Sequence, residues 1–502
     1  MKRGLTIVLL AALLLAGCQS ANTPETDTAA NTGGNPKTSA AAETEAETID
    51  PAHTLDLPDT DWGGREFRVL GFEGDYPQWT TFEIAVDGLN GEIVNDAVYH
   101  RNVALEDKYN VQIVEDKYHT TGSITKDNNA NVLIQAIQSG EDRYELAFVT
   151  LSRLGGLARD GMLYDLNTVD NINFSKAWWN EEINDSISLC NKLYFTSSDF
   201  SLRDKSRSVL MLFNKDLLTS LNLNDPIQMV LDGTWTIDVM NQYVEMASID
   251  QNGDGKVDTG DMFGLAVGAS NTINTFTTGC DVQKIVKDDN GNPLFNVNNE
   301  HTANALDKIL PVFSNRNYTV EPMTWKGDVP GDIWYIGYDM FYAGHVLFAT
   351  ICLHQLSDMS EKCEEDYRIL PVPKYDEAQS GYYSIVDNYG MMFAIPISCQ
   401  NPDFSGFMLE ALSAASTDTS LKAYYDISCK TKYTYDEDSA KMLDLVFNGM
   451  RYDLAAIYNI NGMSGIFESL IDKPNQNIAS RYAAVEKSAK KDLDTLVADL
   501  TK

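Results

Sequence analysis

The chain has 502 residues, room for two to four domains at the usual 100–200 residues each. Its 43% apolar and 22% charged residues are those of a globular protein and exclude global disorder, collagen-like repeats and coiled coils. Lys plus Arg number 38 against 73 for Asp plus Glu, a net charge of −35, so the surface repels phosphate backbones and nucleic acid is not expected as a partner. The cysteines show no CxxC pair and the six histidines no metal-ligand spacing, which argues against heme and iron–sulfur chemistry.

In chain order, a basic pair (Lys2, Arg3) precedes an apolar run from Leu5 to Leu15 and then Ala16-Gly17-Cys18. The run is too short to span a bilayer, which takes about 20 residues, and reads as a secretory signal over residues 1–17. Leu15-Ala16-Gly17-Cys18 resembles a bacterial lipobox, so Cys18 is expected to be the lipidated N-terminus of the mature protein. That places the protein on the extracytoplasmic face of the cell membrane, held by acyl chains alone. Residues 18–60 are rich in Thr, Ala, Glu, Asn and Pro, and are expected to form a disordered tether. Such a tether would reach about 35 Å. The six remaining cysteines, at 190, 280, 352, 363, 399 and 429, are irregularly spaced, and the sequence leaves open whether they pair.

Beyond Trp62 the pattern alternates. Phe67–Leu70 reads as a strand. Gly91–Tyr109 reads as a helix with Val94, Val98, Leu105 and Tyr109 on one face. Val111–Val114, a helix over Asn131–Ser139 and a strand over Leu146–Val149 follow. This predicts a mostly parallel sheet covered on both faces, with ligands beyond the carboxyl ends of the strands. Those ends carry Gly71, Phe72 and Glu73, with Tyr76 and Trp79 just beyond, and Thr150 and Ser152.

The twelve residues from Asp250 to Asp261 fit the calcium-loop spacing D-x-N-x-D-G-x-x-D-x-x-D. Asp250, Asn252, Asp254, Asp258 and Asp261 would supply side-chain oxygens and Lys256 its carbonyl; Gly255 takes the sharp turn. An all-oxygen ligand set suits a hard cation, here a structural Ca²⁺. Asp261 replaces the usual bidentate Glu, and the apolar Met262–Val267 that follows predicts a helix–loop–strand site.

Several segments, in order, carry a resemblance. They are Tyr144–Phe148 followed by Gly161–Leu166, Ser208–Leu218 (SVLMLFNKDLL), Asp232–Thr236, Ala343–Phe348 and Ile369–Lys374. Together they resemble the family-1 extracellular solute-binding proteins of carbohydrate ABC importers, with Phe213 where that pattern often has Tyr. The resemblance covers about residues 62–500 and implies an α/β, two-lobed periplasmic-binding-protein-like (type II) fold with discontinuous lobes and a hinge. It implies residues 61–200 and 333–385 in the N-terminal lobe, and 201–332 and 386–502 in the C-terminal lobe. The chain would cross between lobes near 199–207 and near 379–389.

Sugar rings pack on aromatic faces while their hydroxyls need polar partners, so Trp79, Trp178, Trp179, Trp334 and Tyr389 are candidate stacking residues. Asp199, Arg207 and Asp387, flanking the expected crossings, are candidate hydroxyl ligands. The chain lacks H-E-x-x-H, G-x-S-x-G and a Gly-rich phosphate loop, and no enzyme activity is expected. The sequence therefore reads as a monomeric, lipid-anchored receptor that passes an oligosaccharide to ABC permease subunits. A receptor for a peptide or other polar solute, and a surface glycoside hydrolase with two carboxylates, are the alternatives.

Overall fold

The computed structural model describes residues 50–75, 79–120, 128–268, 272–326, 333–432, 437–471 and 476–502. The signal sequence, Cys18 and Tyr76 lie outside the described residues. So does the tether up to residue 49, but its expected end at residue 60 is corrected. Ala177 N–H donates to the Ala52 carbonyl at 2.9 Å, and the Lys176 ammonium contacts the Pro51 carbonyl and Asp56. Leu55 and Leu57 pack on the core, so the body begins near residue 50.

The first strands are β1 (Arg65–Gly74), β2 (Val111–Thr120) and β3 (Leu146–Thr150). They alternate with helices α1 (Ile93–Tyr109), α2 (Asn128–Ser139) and α3 (Leu151–Arg159). There follow β4 (Val209–Asn214), β5 (Phe263–Ala266), the pair β6 (Ile285–Lys287) and β7 (Pro293–Phe295), and β8 (Thr319–Val320). The last are β9 (Val346–Cys352), β10 (Tyr367–Leu370), β11 (Ser384–Ile385), β12 (Met391–Ala394) and β13 (Met450–Arg451).

Two main sheets result. The first has the order β12-β3-β1-β2, with β1 parallel to both β2 and β3, as the alternation predicts. Every residue of β3 is buried, as expected of a strand flanked on both edges and covered on both faces. Helix α1 ends where Asn110 takes a left-handed φ of 47° and its N–H caps the Glu106 carbonyl. Its buried face carries Val98, Leu105 and Tyr109, but also Arg101 and Asn102. The second sheet has the order β10-β4-β9-β5-β8 and is mixed: β4 is antiparallel to β10 and β9, while β5 is parallel to β9 and β8.

The lobe boundaries differ from expectation. Residues 333–385 do not join the first lobe, because β9 and β10 pair with β4 through Val209↔Cys352 and Tyr367↔Asn214. Residues 386–502 do not all join the second. Strand β12 pairs with β3 (Met391↔Thr150), and the helix Pro402–Ser416 packs Phe404 and Phe407 on Trp62 and Tyr109, at 4.7 and 4.9 Å between ring centroids. The helix Glu437–Asn448 returns to β10, and the final helix Ile478–Leu500 lies against both α3 and the helix Glu300–Phe313. An apolar strand such as β4 needs two neighbours, but nothing in its own residues says which later strands will supply them.

Three chain passages join the lobes side by side. Ser208 bridges Val386, and β11 runs parallel to β13. Asp387 N–H donates to the Arg207 carbonyl at 3.0 Å, and Val386 N–H to that of Arg451 at 2.9 Å. The first two passages fall in or beside the expected windows; the third, through β13, was not anticipated.

Candidate functional site

Strands β3 and β9 point their carboxyl ends at this hinge, and β12 and β4 leave it beside them. Beyond β3, Leu151 and Ser152 N–H donate to the carbonyls of Gly390 (2.8 Å) and Asn388 (3.1 Å). Beyond β9, Leu353 N–H donates to the Ser208 carbonyl at 2.9 Å, and His354 Nδ1 lies 3.1 Å from that of Ser206. The strand ends of one lobe therefore meet those of the other across residues 200–208 and 386–390. In open α/β sheets that is where ligands bind.

The floor of this cleft is polar and buried. Beyond β1 the chain folds back, Thr81 N–H donating to the Phe72 carbonyl at 2.8 Å, and delivers Glu83 to the hinge. Glu83 accepts the amides of Leu202 and Arg203 at 3.2 and 2.9 Å. Burial raises its carboxyl above the ordinary value, against the pull of Arg203. Arg101 reaches from the buried face of α1 to the Glu83 and Ile84 carbonyls and to Ser416 and Ser420. Asp204 accepts from Ser197, Ser201 and Tyr452, and the Lys205 ammonium from the next position bonds the Ser198 and Ser201 carbonyls. Arg207 Nη1 lies 3.5 Å from Asp387 Oδ2, while Asp387 Oδ1 accepts the Tyr389 amide at 3.0 Å. Burial, then the charges of Arg207 and Arg203, push His354 well below its ordinary value.

On the second lobe, Trp334 and Tyr335 are 44% and 46% exposed, just ahead of the helix Ile336–Tyr342. Tyr338 from that helix donates to Gln355 Oε1 at 3.3 Å. A cavity of about 10 Å³, room for one water, opens between Tyr338, Thr350, Cys352, Gln355 and Gly268. A larger cavity of about 250 Å³ borders β13 and is lined by Asp185, Asn274, Lys284, Arg451 and Asp453. Its Lys284 is already held by Asp453 at 2.7 Å and the Ser464 carbonyl at 2.6 Å.

Of the residues singled out from sequence, the fold gathers Arg207, Asp387 and Tyr389 at the hinge. Trp334 stands exposed on the second lobe. Trp79 is half-buried, backing Gly74 so closely that a Cβ there would come within 2.6 Å of it. Trp178 and Trp179 do not line a cleft. Each is 4% exposed in the core, where Trp179 Nε1 donates to the buried Glu410 at 2.8 Å. The two neighbours both face inward because they stand in an irregular segment, where the chain can turn between them. Asp199 is half-buried and accepts from Thr417 at 2.6 Å, and burial raises its carboxyl against the charge of Lys205. Sequence reasoning missed Glu83, Arg101, Arg203, Asp204, Lys205 and His354. The available signal was four charges within Arg203–Arg207, set among Ser197, Ser198, Ser201, Ser206 and Ser208.

The Asp250–Asp261 loop lies between the helix Ile237–Ala247 and β5, a helix–loop–strand as expected. Gly253 and Gly255 take φ of 71° and 72°. The carboxylates accept the loop's own amides: Asp250 from Gly253 and Gly255, Asp254 from Lys256, and the buried Asp261 from Gln251 and Asp258. Among the described residues no three His, Cys, Asp or Glu side chains are grouped as a metal site. All six body cysteines are free thiols. Among the described residues no helix is long and apolar enough to cross a membrane.

By sequence, no protein-family model matches the chain and no curated protein is significantly similar to it. By structure, it is similar to the galacto-N-biose/lacto-N-biose I-binding protein of an ABC transporter from Bifidobacterium longum, in complex with lacto-N-biose. That match has a TM-score of 0.54 at 12% identity over 87% of this chain and 98% of the other. UspC of M. tuberculosis matches at a TM-score of 0.53 and 12% identity, over 86% and 100%. An ABC substrate-binding protein from Listeria monocytogenes in complex with cycloalternan matches at 0.51 and 13%, over 87% and 99%. The chain thus has the α/β, two-lobed periplasmic-binding-protein-like (type II) fold, its discontinuous lobes joined at a hinge.

Proposed function

We propose that this protein is a receptor that binds a carbohydrate, an oligosaccharide, between its lobes and delivers it to the permease subunits of an ABC importer. The carrying observation is the convergence of strand ends from both sheets, β3 and β9 among them, on one three-passage hinge with a polar, buried floor. Rings at Trp334 and Tyr335 would offer stacking faces, and the hinge side chains would meet hydroxyls. The likeness to proteins solved with lacto-N-biose and cycloalternan supports the same reading. The work is binding with lobe closure, and the partner ATPase drives transport. The Cys18 motif supports a lipid anchor on the extracytoplasmic face, and the receptor would act as a monomer. The spacing of Asp250–Asp261 supports a structural Ca²⁺, held by loop oxygens once the carboxylates turn from the loop amides.

A thermal-shift and tryptophan-fluorescence screen over neutral and acidic oligosaccharides tests the reading. A saccharide at 100 times its Kd should stabilise the protein by about 2.7 kcal/mol and be recovered intact. A screen in which no saccharide binds, or one in which the sugar is recovered hydrolysed, overturns it.

A further inference from the structure

The hinge floor holds two guanidinium groups whose donors are not used up. Arg203 precedes the short helical turn Lys205–Arg207 and Arg207 ends it; they are 1% and 3% exposed. In both, Nε and Nη2 are buried and lack a hydrogen-bond partner among the described residues. These are no scattered pair of atoms. Nε–H and one Nη2–H point the same way along one edge of the guanidinium, the edge that takes both oxygens of a carboxylate in parallel.

The surrounding side chains cannot serve these edges. Asp204 is occupied by Ser197, Ser201 and Tyr452, and Glu83 by main-chain amides. Asp387 approaches Arg207 at its far nitrogen, Nη1, at 3.5 Å. Four buried cations, Arg101, Arg203, Lys205 and Arg207, thus face three buried carboxylates, Glu83, Asp204 and Asp387. The neighbours register the surplus. Burial and then the charge of Arg207 push Arg203 down to about 10, and the same two arginines depress His354. A buried charge of this kind is tolerated when something brings a counter-charge.

We infer that the paired guanidinium edges of Arg203 and Arg207 receive a carboxylate of the bound solute, so that the saccharide this receptor takes is an acidic one, built from uronic acids. This rests on the receptor reading above and narrows its substrate class. A hydroxyl would fill one N–H at a time and bring no charge; a carboxylate fills an edge and neutralises the surplus. Both edges are shut from solvent in the described conformation, so the lobes part about the hinge strands to admit the ligand. The chain's net charge of −35 would repel such a ligand from a distance, so selection falls to this local, desolvated pair.

The test compares one backbone with its charge present and masked. Trimers of galacturonic, glucuronic and mannuronic acid are titrated into the full chain beside their methyl esters and a sulfated oligosaccharide. At least one free acid should bind at least a hundredfold tighter than its ester. Arg203→Lys and Arg207→Lys should each weaken it tenfold or more, since Lys keeps the charge and loses the edge. Arg203→Met, which leaves the Arg207–Asp387 pair intact, should abolish binding of the acid without lowering the unliganded melting temperature, which a merely structural arginine would lower. Esters or neutral sugars that bind as well as the acids overturn this inference and leave the receptor reading standing. A preference for the sulfated sugar overturns the carboxylate assignment. Failure of every saccharide to bind overturns both.

Discussion

Arg207 and Asp387 touch twice, once through main chain and once through side chain. The Asp387 amide donates to the Arg207 carbonyl at 3.0 Å, and Arg207 Nη1 stands 3.5 Å from Asp387 Oδ2. The residues are 180 positions apart and belong to two different passages of the hinge. The pair ties the joint together at the point where solute is proposed to bind.

Removing its acid should therefore harm the fold. Asp387→Asn leaves an already surplus Arg207 without its carboxylate in a buried site. A loss of about 3 kcal/mol in urea denaturation is expected. A variant as stable as wild type would show that the pair contributes nothing.

The exposed aromatic and the core aromatic should part company on mutation. Trp334→Ala removes an exposed ring, and should cost roughly tenfold to a hundredfold in saccharide affinity with little change in melting temperature. Trp179→Ala removes a core ring bonded to Glu410, and should destabilise by about 3–5 kcal/mol with or without ligand. Denaturation and titration of the two variants side by side check the contrast.

Glu410 should make stability fall as pH rises. Burial pushes its carboxyl up to about 7, against the hydrogen bonds from the Asn173 amide and the Trp179 indole. The folded state then holds a proton that the unfolded chain releases near 4.3. Its stabilising contribution is complete below about pH 4 and is lost as pH climbs to 7, a change on the order of 3 kcal/mol. Glu410→Gln should flatten that part of the stability–pH curve; an unaltered curve would refute the assignment.

Chelation should lower the melting temperature and added Ca²⁺ restore it, because the ion would neutralise carboxylates crowded in one loop. Asp254→Ala should abolish the response. Equal melting curves with and without chelator would sink the calcium proposal.

Replacing Cys18 by Ser should release the protein from the membrane or leave it uncut. Fractionation of cells checks this, and membrane association unchanged from wild type would count against the lipid anchor.

How much of this was legible in the sequence depended on the reach of each interaction. Strands β1 to β3 and helices α1 and α2 announce themselves through apolar runs a few residues long. The lobe assignment of β9, β10 and β12 did not, because Cys352 meets Val209 and Met391 meets Thr150 across more than a hundred residues. Trp178 and Trp179 misled, since a polar stretch suggested a loop at the surface while both rings turn into the core. Arg101 was hidden in the opposite way. A charged residue in a helix is read as solvated, and here α1 turns it inward to meet the chain of residues 83 and 84. Arg207, Asp387 and Tyr389 were within reach because each flanks a crossing.

Three connections laid edge to edge do what one cannot. A single strand between two bodies lets them swing and twist about it freely. A ribbon made from the segments around Arg207, Val386 and Arg451, hydrogen-bonded across its width, bends along one direction and resists torsion. The lobes are left with one inexpensive degree of freedom, so any solute that fits should bring them to the same relative orientation, and a docking partner would have a single shape to read.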